Sequence, residues 1–71
     1  MREKTIKDCK KILASLKNLR EIQTEILYCE DVRSSADAVE TVIDLKDALT
    51  CAIEVYEDLL PTLENLNDQK F

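Results

Sequence analysis

The sequence contains no glycine and a single proline, Pro61. Glycine is the residue that takes positive φ at no steric cost, so a chain without it makes few tight turns. Histidine and tryptophan are also absent. Without histidine there is no ready general base, and the Glu-x-x-His motif of bundle di-iron sites has no counterpart. Neither a nucleophile elbow nor a phosphate-binding loop is present. The carboxylates lack the glycine-containing loop of an EF-hand, which argues against a calcium site. Cys9, Cys29 and Cys51 form no Cys-x-x-Cys pair, and three ligands so far apart do not make a zinc site. They read best as small apolar side chains of a reduced protein, with Cys51 the most exposed. These absences point to a non-enzymatic chain that needs no cofactor.

Long apolar runs are missing too. None approaches the roughly 20 residues of a membrane span. Met1-Arg2-Glu3-Lys4 is not followed by the apolar stretch of a signal peptide, so a cytoplasmic setting is the expectation. Charged residues make up 35% and hydrophobic ones 45%, a balance that suits a packed helical domain rather than a disordered tail.

What is present is helical periodicity. With Ser35 as position a of a seven-residue repeat, a falls on Val42, Leu49, Tyr56 and Leu63. Position d falls on Ala38, Leu45, Ala52, Leu59 and Leu66. Positions c and f read Asp37, Glu40, Asp44, Asp47, Cys51, Glu54 and Asp58. A strand alternates with period two and cannot sort residues this way. The pattern predicts an amphipathic helix from about residue 35 to 60. Proline costs about 3 kcal/mol in a helix interior, so a kink at Pro61, or a short third helix over about 61–67, is expected, with a fraying tail from Asn67.

The first half repeats the theme. Ile6, Cys9, Ile12, Leu16, Leu19, Ile22, Ile26 and Cys29 recur in steps dominated by three and four, Leu13 and Leu27 widen the stripe, and Gln23 interrupts it. Thr5 with Asp8 resembles a capping box, which predicts a helix over about 5–29. The segment 30–34 loses the pattern, and Ser34 or Ser35 is a suitable N-cap for the second helix. A connection this short makes neighbours antiparallel. The chain therefore reads as one all-α domain, an antiparallel two-helix hairpin over residues 1–71.

Apolar side chains exceed what one hairpin covers. Val39, Ile53 and Leu60 flank one side of the second helix's stripe, and Ala48 and Val55 the other. A chain of 71 residues buries little surface alone. A homodimer forming a four-helix bundle is the expected remedy, with Ile12, Leu16, Leu19, Ile26, Val42, Leu45, Leu49, Ile53, Tyr56 and Leu59 as its core and dimer residues.

Charge divides along the chain. Residues 1–20 hold seven basic and two acidic side chains, and residues 21–71 hold three and thirteen. In a hairpin turning near residue 32, Lys10 would face Glu54, Lys17 Asp47 and Lys7 Glu57. The acid left over crowds the turn: Glu25, Glu30, Asp31, Asp37 and Glu40, with Tyr28 beside them as an aromatic anchor. These are the candidate partner-binding residues, and the partner they suit is a protein with a basic surface. The leading expectation is a regulatory or inhibitory interaction module. A helical scaffold subunit comes second. A nucleic-acid-binding dimer using Lys4, Lys7, Lys10, Lys11 and Lys17 is third, weakened by a pI near 4.6 and scarce aromatics.

Overall fold

The computed structural model describes residues 2–68, and side chains from Glu3 to Asn67. Helix α1 spans Arg2–Leu27, α2 spans Glu30–Arg33 and α3 spans Ala36–Asp68. Lys, Leu, Glu and Arg, good helix formers, fill much of the two long helices. α1 begins ahead of the expected cap at Thr5 and ends two residues short of Cys29.

The turn is made without glycine and without positive φ among the described residues. Tyr28 N–H and Cys29 N–H reach back only three residues, to the carbonyls of Glu25 and Ile26 at 3.0 Å, which tightens the end of α1. Cys29 then takes an extended conformation, φ −71° and ψ 132°. The segment expected to be irregular winds instead into the single turn α2. The Ser34 hydroxyl donates to the Asp31 carbonyl at 3.0 Å. Ser35 is the N-cap of α3: its Oγ accepts the Ala38 N–H at 3.3 Å.

α3 does not stop at Pro61; the helix runs through it to Asp68. Proline cannot donate to the Glu57 carbonyl, but both residues are exposed, so that carbonyl lies on the wet side. Leu60 and Leu63, on either side, pack against the cluster containing Ile6 and Cys9 and hold the turn in place. Of the two expected outcomes, a helix that continues through Pro61 and a separate third helix over about 61–67, the structure has the first: one helix from Ala36 to Asp68. Asn67 and Asp68, expected to fray, are helical, and residues 69–71 lie outside the described part.

α1 and α3 lie alongside each other in a rod of 59 × 14 × 13 Å. Lys10 pairs with Glu64 at 3.8 Å and Lys17 with Glu57 at 3.5 Å. As α1 advances seven residues α3 retreats seven, so the helices are antiparallel. The register corrects the pairing of Lys10 with Glu54, Lys17 with Asp47 and Lys7 with Glu57. Partner numbers add to 74 in the observed pairs, not 64. The reason is the connection: α1 ends early, and α2 occupies the place beside the first turns of α3.

Buried and half-buried side chains form two strips with steps of three and four. On α1 the strip is Ile6, Cys9, Leu13, Leu16, Arg20, Gln23 and Leu27, with half-buried Thr24 and Ile26 beside it; on α3 it is Val39, Val42, Lys46, Leu49, Ile53, Tyr56, Leu60, Leu63 and Asn67, with half-buried Ala38, Thr50 and Ala52 beside it. Ile53 is 2% exposed, and Ile6, Cys9 and Leu60 are buried. The strip on α3 thus joins position a to position e, not to d. The d row is set aside because it carries small Ala38 and Ala52, whereas the e row offers bulkier Val39, Ile53 and Leu60. Lys46 joins that row by laying its aliphatic stem along it.

Candidate functional site

Two surfaces stand out, one charged and one apolar. The charged one is the turn end. Glu30 and Asp31 project from α2, Asp37 and Glu40 from the first turns of α3, and Glu25 from the last turn of α1; all five are exposed. The Ser35 cap joins the two short segments, which brings Glu30, Asp31 and Asp37 to one end of the rod. Arg33 is the cation within this group, and Glu30, Asp31, Arg33 and Ser34 line a shallow, open depression. Tyr28 is 75% exposed at the join between α1 and α2. All six expected partner-binding residues are thus open to solvent at or near one end.

At the opposite end, basic and acidic side chains compensate each other. Lys10 and Lys17 are engaged by Glu64 and Glu57, with every partner about half exposed. Pairs this wet contribute about 0.2–1 kcal/mol each and act mainly on register. Lys4, Lys7 and Lys11 are exposed on α1.

The apolar surface comes from the expected core and dimer residues. Ile53 is enclosed, and Leu16, Ile26, Val42, Leu49 and Tyr56 are half-buried. Ile12 (42%), Leu19 (43%), Leu45 (48%) and Leu59 (38%) are exposed. They are not stray. Each of Ile12, Leu19, Ile22 and Ile26 comes one residue before a member of the packed strip on α1: Leu13, Arg20, Gln23 and Leu27. On α3, Leu45, Ala48, Ala52, Val55, Leu59 and Leu66 likewise come one before Lys46, Leu49, Ile53, Tyr56, Leu60 and Asn67.

One residue is a rotation of about 100° about the helix axis, in the same sense for both helices. A two-fold axis perpendicular to the plane of an antiparallel pair exchanges the helices and leaves each face on its own side. Equal rotations therefore bring both outer stripes to the same face. Among the described residues, seven of the nine exposed large hydrophobic ones lie there: Ile12, Leu19, Ile22, Leu45, Val55, Leu59 and Leu66. Tyr28 and Ile43 lie off it. What sequence reasoning missed was the division of labour. Four apolar rows were visible on α3, but not which pair faces α1 and which faces away.

Comparison with protein-family models, with curated proteins and with solved structures gives no match. The two surfaces are therefore read on their chemistry. Among the described residues no helix is long and apolar enough to cross a membrane.

Proposed function

We propose that this chain is a non-enzymatic interaction module: an antiparallel helical hairpin that joins a second copy through its outer apolar face to form a four-helix bundle, and that docks on a basic surface of a partner protein through its acidic turn end. The observation that carries the reading is the gathering of seven exposed large hydrophobic side chains on one face. Scattered exposed apolar residues are ordinary, but a contiguous stripe along two helices is not. A rod of 59 × 14 Å offers a face on the order of 800 Å², about what one partner contributes to a stable interface. The four apolar rows of α3 then divide evenly, two to α1 and two to the second copy, as a bundle requires.

The acidic end supplies the second half of the function. Residues 21–52 carry eight acidic and two basic side chains, a net of −6. A field of that sign steers a basic partner and accelerates association at low salt. The bundle acts as a regulator or inhibitor by covering the basic surface it meets.

The same apolar face supports a second reading. The chain is then a scaffold subunit whose face is filled by helices of a different protein. The triple substitution Glu30→Lys, Asp31→Lys and Asp37→Lys separates the two. These side chains are exposed, so helicity and dimer mass should persist. Capture of the partner should fall at least ten-fold in the interaction-module reading and stay unchanged in the scaffold reading. Wild-type binding to DNA, strengthened by the added lysines, would instead favour a nucleic-acid partner.

A further inference from the structure

We infer that the second copy lies on the apolar face with its turn at the opposite end, so that α1 covers α1 and α3 covers α3. The inference rests on the pairing proposed above and specifies its geometry. Two-fold symmetry allows the two turns to lie together at one end of the bundle or apart at its two ends. Three observations choose the second arrangement.

The first is the position of the apolar face. On α1 it runs from Ile12 to Ile26 and on α3 from Leu45 to Leu66. Its centre falls near Leu19 and Val55. Those two are level with each other, because their numbers add to 74 as the ion-paired numbers do. Val55 also lies close to the middle of α3 (Ala36–Asp68). A two-fold axis through the centre of the apolar face therefore lies close to the middle of the rod, and reversing one copy costs almost no overlap.

The second is end charge. Residues 21–52, the turn end, sum to −6, while residues 1–20 and 53–71 hold eight basic and seven acidic side chains, a net of +1. Turns placed together would bring about −12 to one end of the bundle. Turns placed apart set each acidic end beside the near-neutral end of the other copy.

The third is the rim. One residue further out than the apolar stripe of α1 come Lys4, Lys11, Asn18 and Glu25, spaced by seven. All are exposed. Laid antiparallel on its own copy about Asn18, this row places Lys11 level with Glu25 of the other copy, twice in each dimer. The outer row of α3 is Asp44, Cys51, Asp58 and Asn65, also exposed. Reversed about the midpoint between 54 and 55, it sets Asp44 level with Asn65 and Asp58 level with Cys51, so within this row no acid meets an acid. The two rows put the axis at nearly the same height: residue 18 of α1 lies level with residue 56 of α3 in the ion-pair register, about 2 Å along the rod from the midpoint between 54 and 55.

The consequence is bivalence. The apolar face stops at Ile26 on α1 and at Leu45 on α3, so Glu30, Asp31 and Asp37, all exposed, lie beyond it at each end of the dimer. One dimer then presents two acidic ends pointing in opposite directions, each free to take a partner.

The test uses Asn18→Cys in a chain that carries Cys29→Ser and keeps Cys51, with Cys9 buried in the cluster against Leu60. Light scattering first gives the mass, and mild oxidation followed by peptide mapping gives the linkage. The expected result is a dimer of about twice 8.2 kDa in which most chains are joined to each other through position 18 of both copies. A dimer of that mass joined from position 18 to Cys51 overturns the orientation and leaves the pairing intact, because α1 would then cover α3. A dimer with neither link overturns the orientation as well. A monomer that melts cooperatively overturns both this arrangement and the pairing on which it rests.

Discussion

Replacing Ile53 by Ala probes the packing between α1 and α3 most directly. Ile53 is the most enclosed side chain among the described residues, 2% exposed, and belongs to the row that faces α1. The substitution removes three carbons, about 0.8 kcal/mol each or about 2.4 kcal/mol in transfer terms. The neighbours relax only partly, and the residual cavity adds on the order of 1 kcal/mol. The expected loss is therefore about 3–4 kcal/mol. A chain of 71 residues has roughly 4–11 kcal/mol of stability in total, so the variant should sit near the edge of unfolding. Leu45→Ala is the matched control. It also removes three carbons, but Leu45 is 48% exposed and faces away from α1. Its cost in a monomer should be about 1 kcal/mol. If a second copy covers Leu45, that cost rises with protein concentration, whereas the Ile53 deficit persists at every concentration. Urea titrations followed by far-UV circular dichroism, at two concentrations about a hundred-fold apart, read both effects. A loss below about 1 kcal/mol for Ile53→Ala would refute the assignment of that row to the helix–helix contact. So would an equal, concentration-independent loss for Leu45→Ala.

Other outcomes follow from the same geometry. Reversing one ion pair, with Lys17→Glu and Glu57→Lys together, should restore most of what either change alone removes. Each single change should cost about 1 kcal/mol or less and lose its effect in 1 M salt, since both side chains are about half exposed. Pro61→Ala should stabilise the chain by about 1–3 kcal/mol, because it returns an N–H donor to the Glu57 carbonyl inside a continuous helix. Thermal melts check it, and a fall in stability would mean that the proline ring supplies packing that outweighs the lost hydrogen bond. The triple lysine substitution at Glu30, Asp31 and Asp37 should abolish most partner capture without changing helicity, and the Asn18→Cys linkage should join like positions of two copies.

Much of this protein is local in origin and could be read residue by residue. The steps of three and four through Ile6–Leu27 and Val42–Leu66 declare two long helices, because only a helix returns a residue to the same side after that interval. Ser35 announces the start of α3, since its hydroxyl is suited to cap a backbone N–H three residues on. The gathering of carboxylates at Glu30, Asp31 and Asp37 follows once a turn is placed between the helices.

Three matters were decided only by the folded pair. The first is the turn. Which residue pivots the chain depends on how α2 settles against α3, and that moved the pairing of Lys10 from Glu54 to Glu64. The second is Pro61: the penalty of proline is local, but the contacts of Leu60 and Leu63 with the Ile6 and Cys9 cluster are not, and they carry the helix through. The third is the choice of face. Val42, Leu49 and Tyr56 could share a strip with either the Leu45 row or the Ile53 row, because both are apolar and adjoin them. Periodicity measures the width of an apolar arc, not which part of it a neighbour occupies. That choice rests on side-chain bulk against α1, and it leaves Leu19, Leu45, Val55 and Leu59 on the outside, on one face.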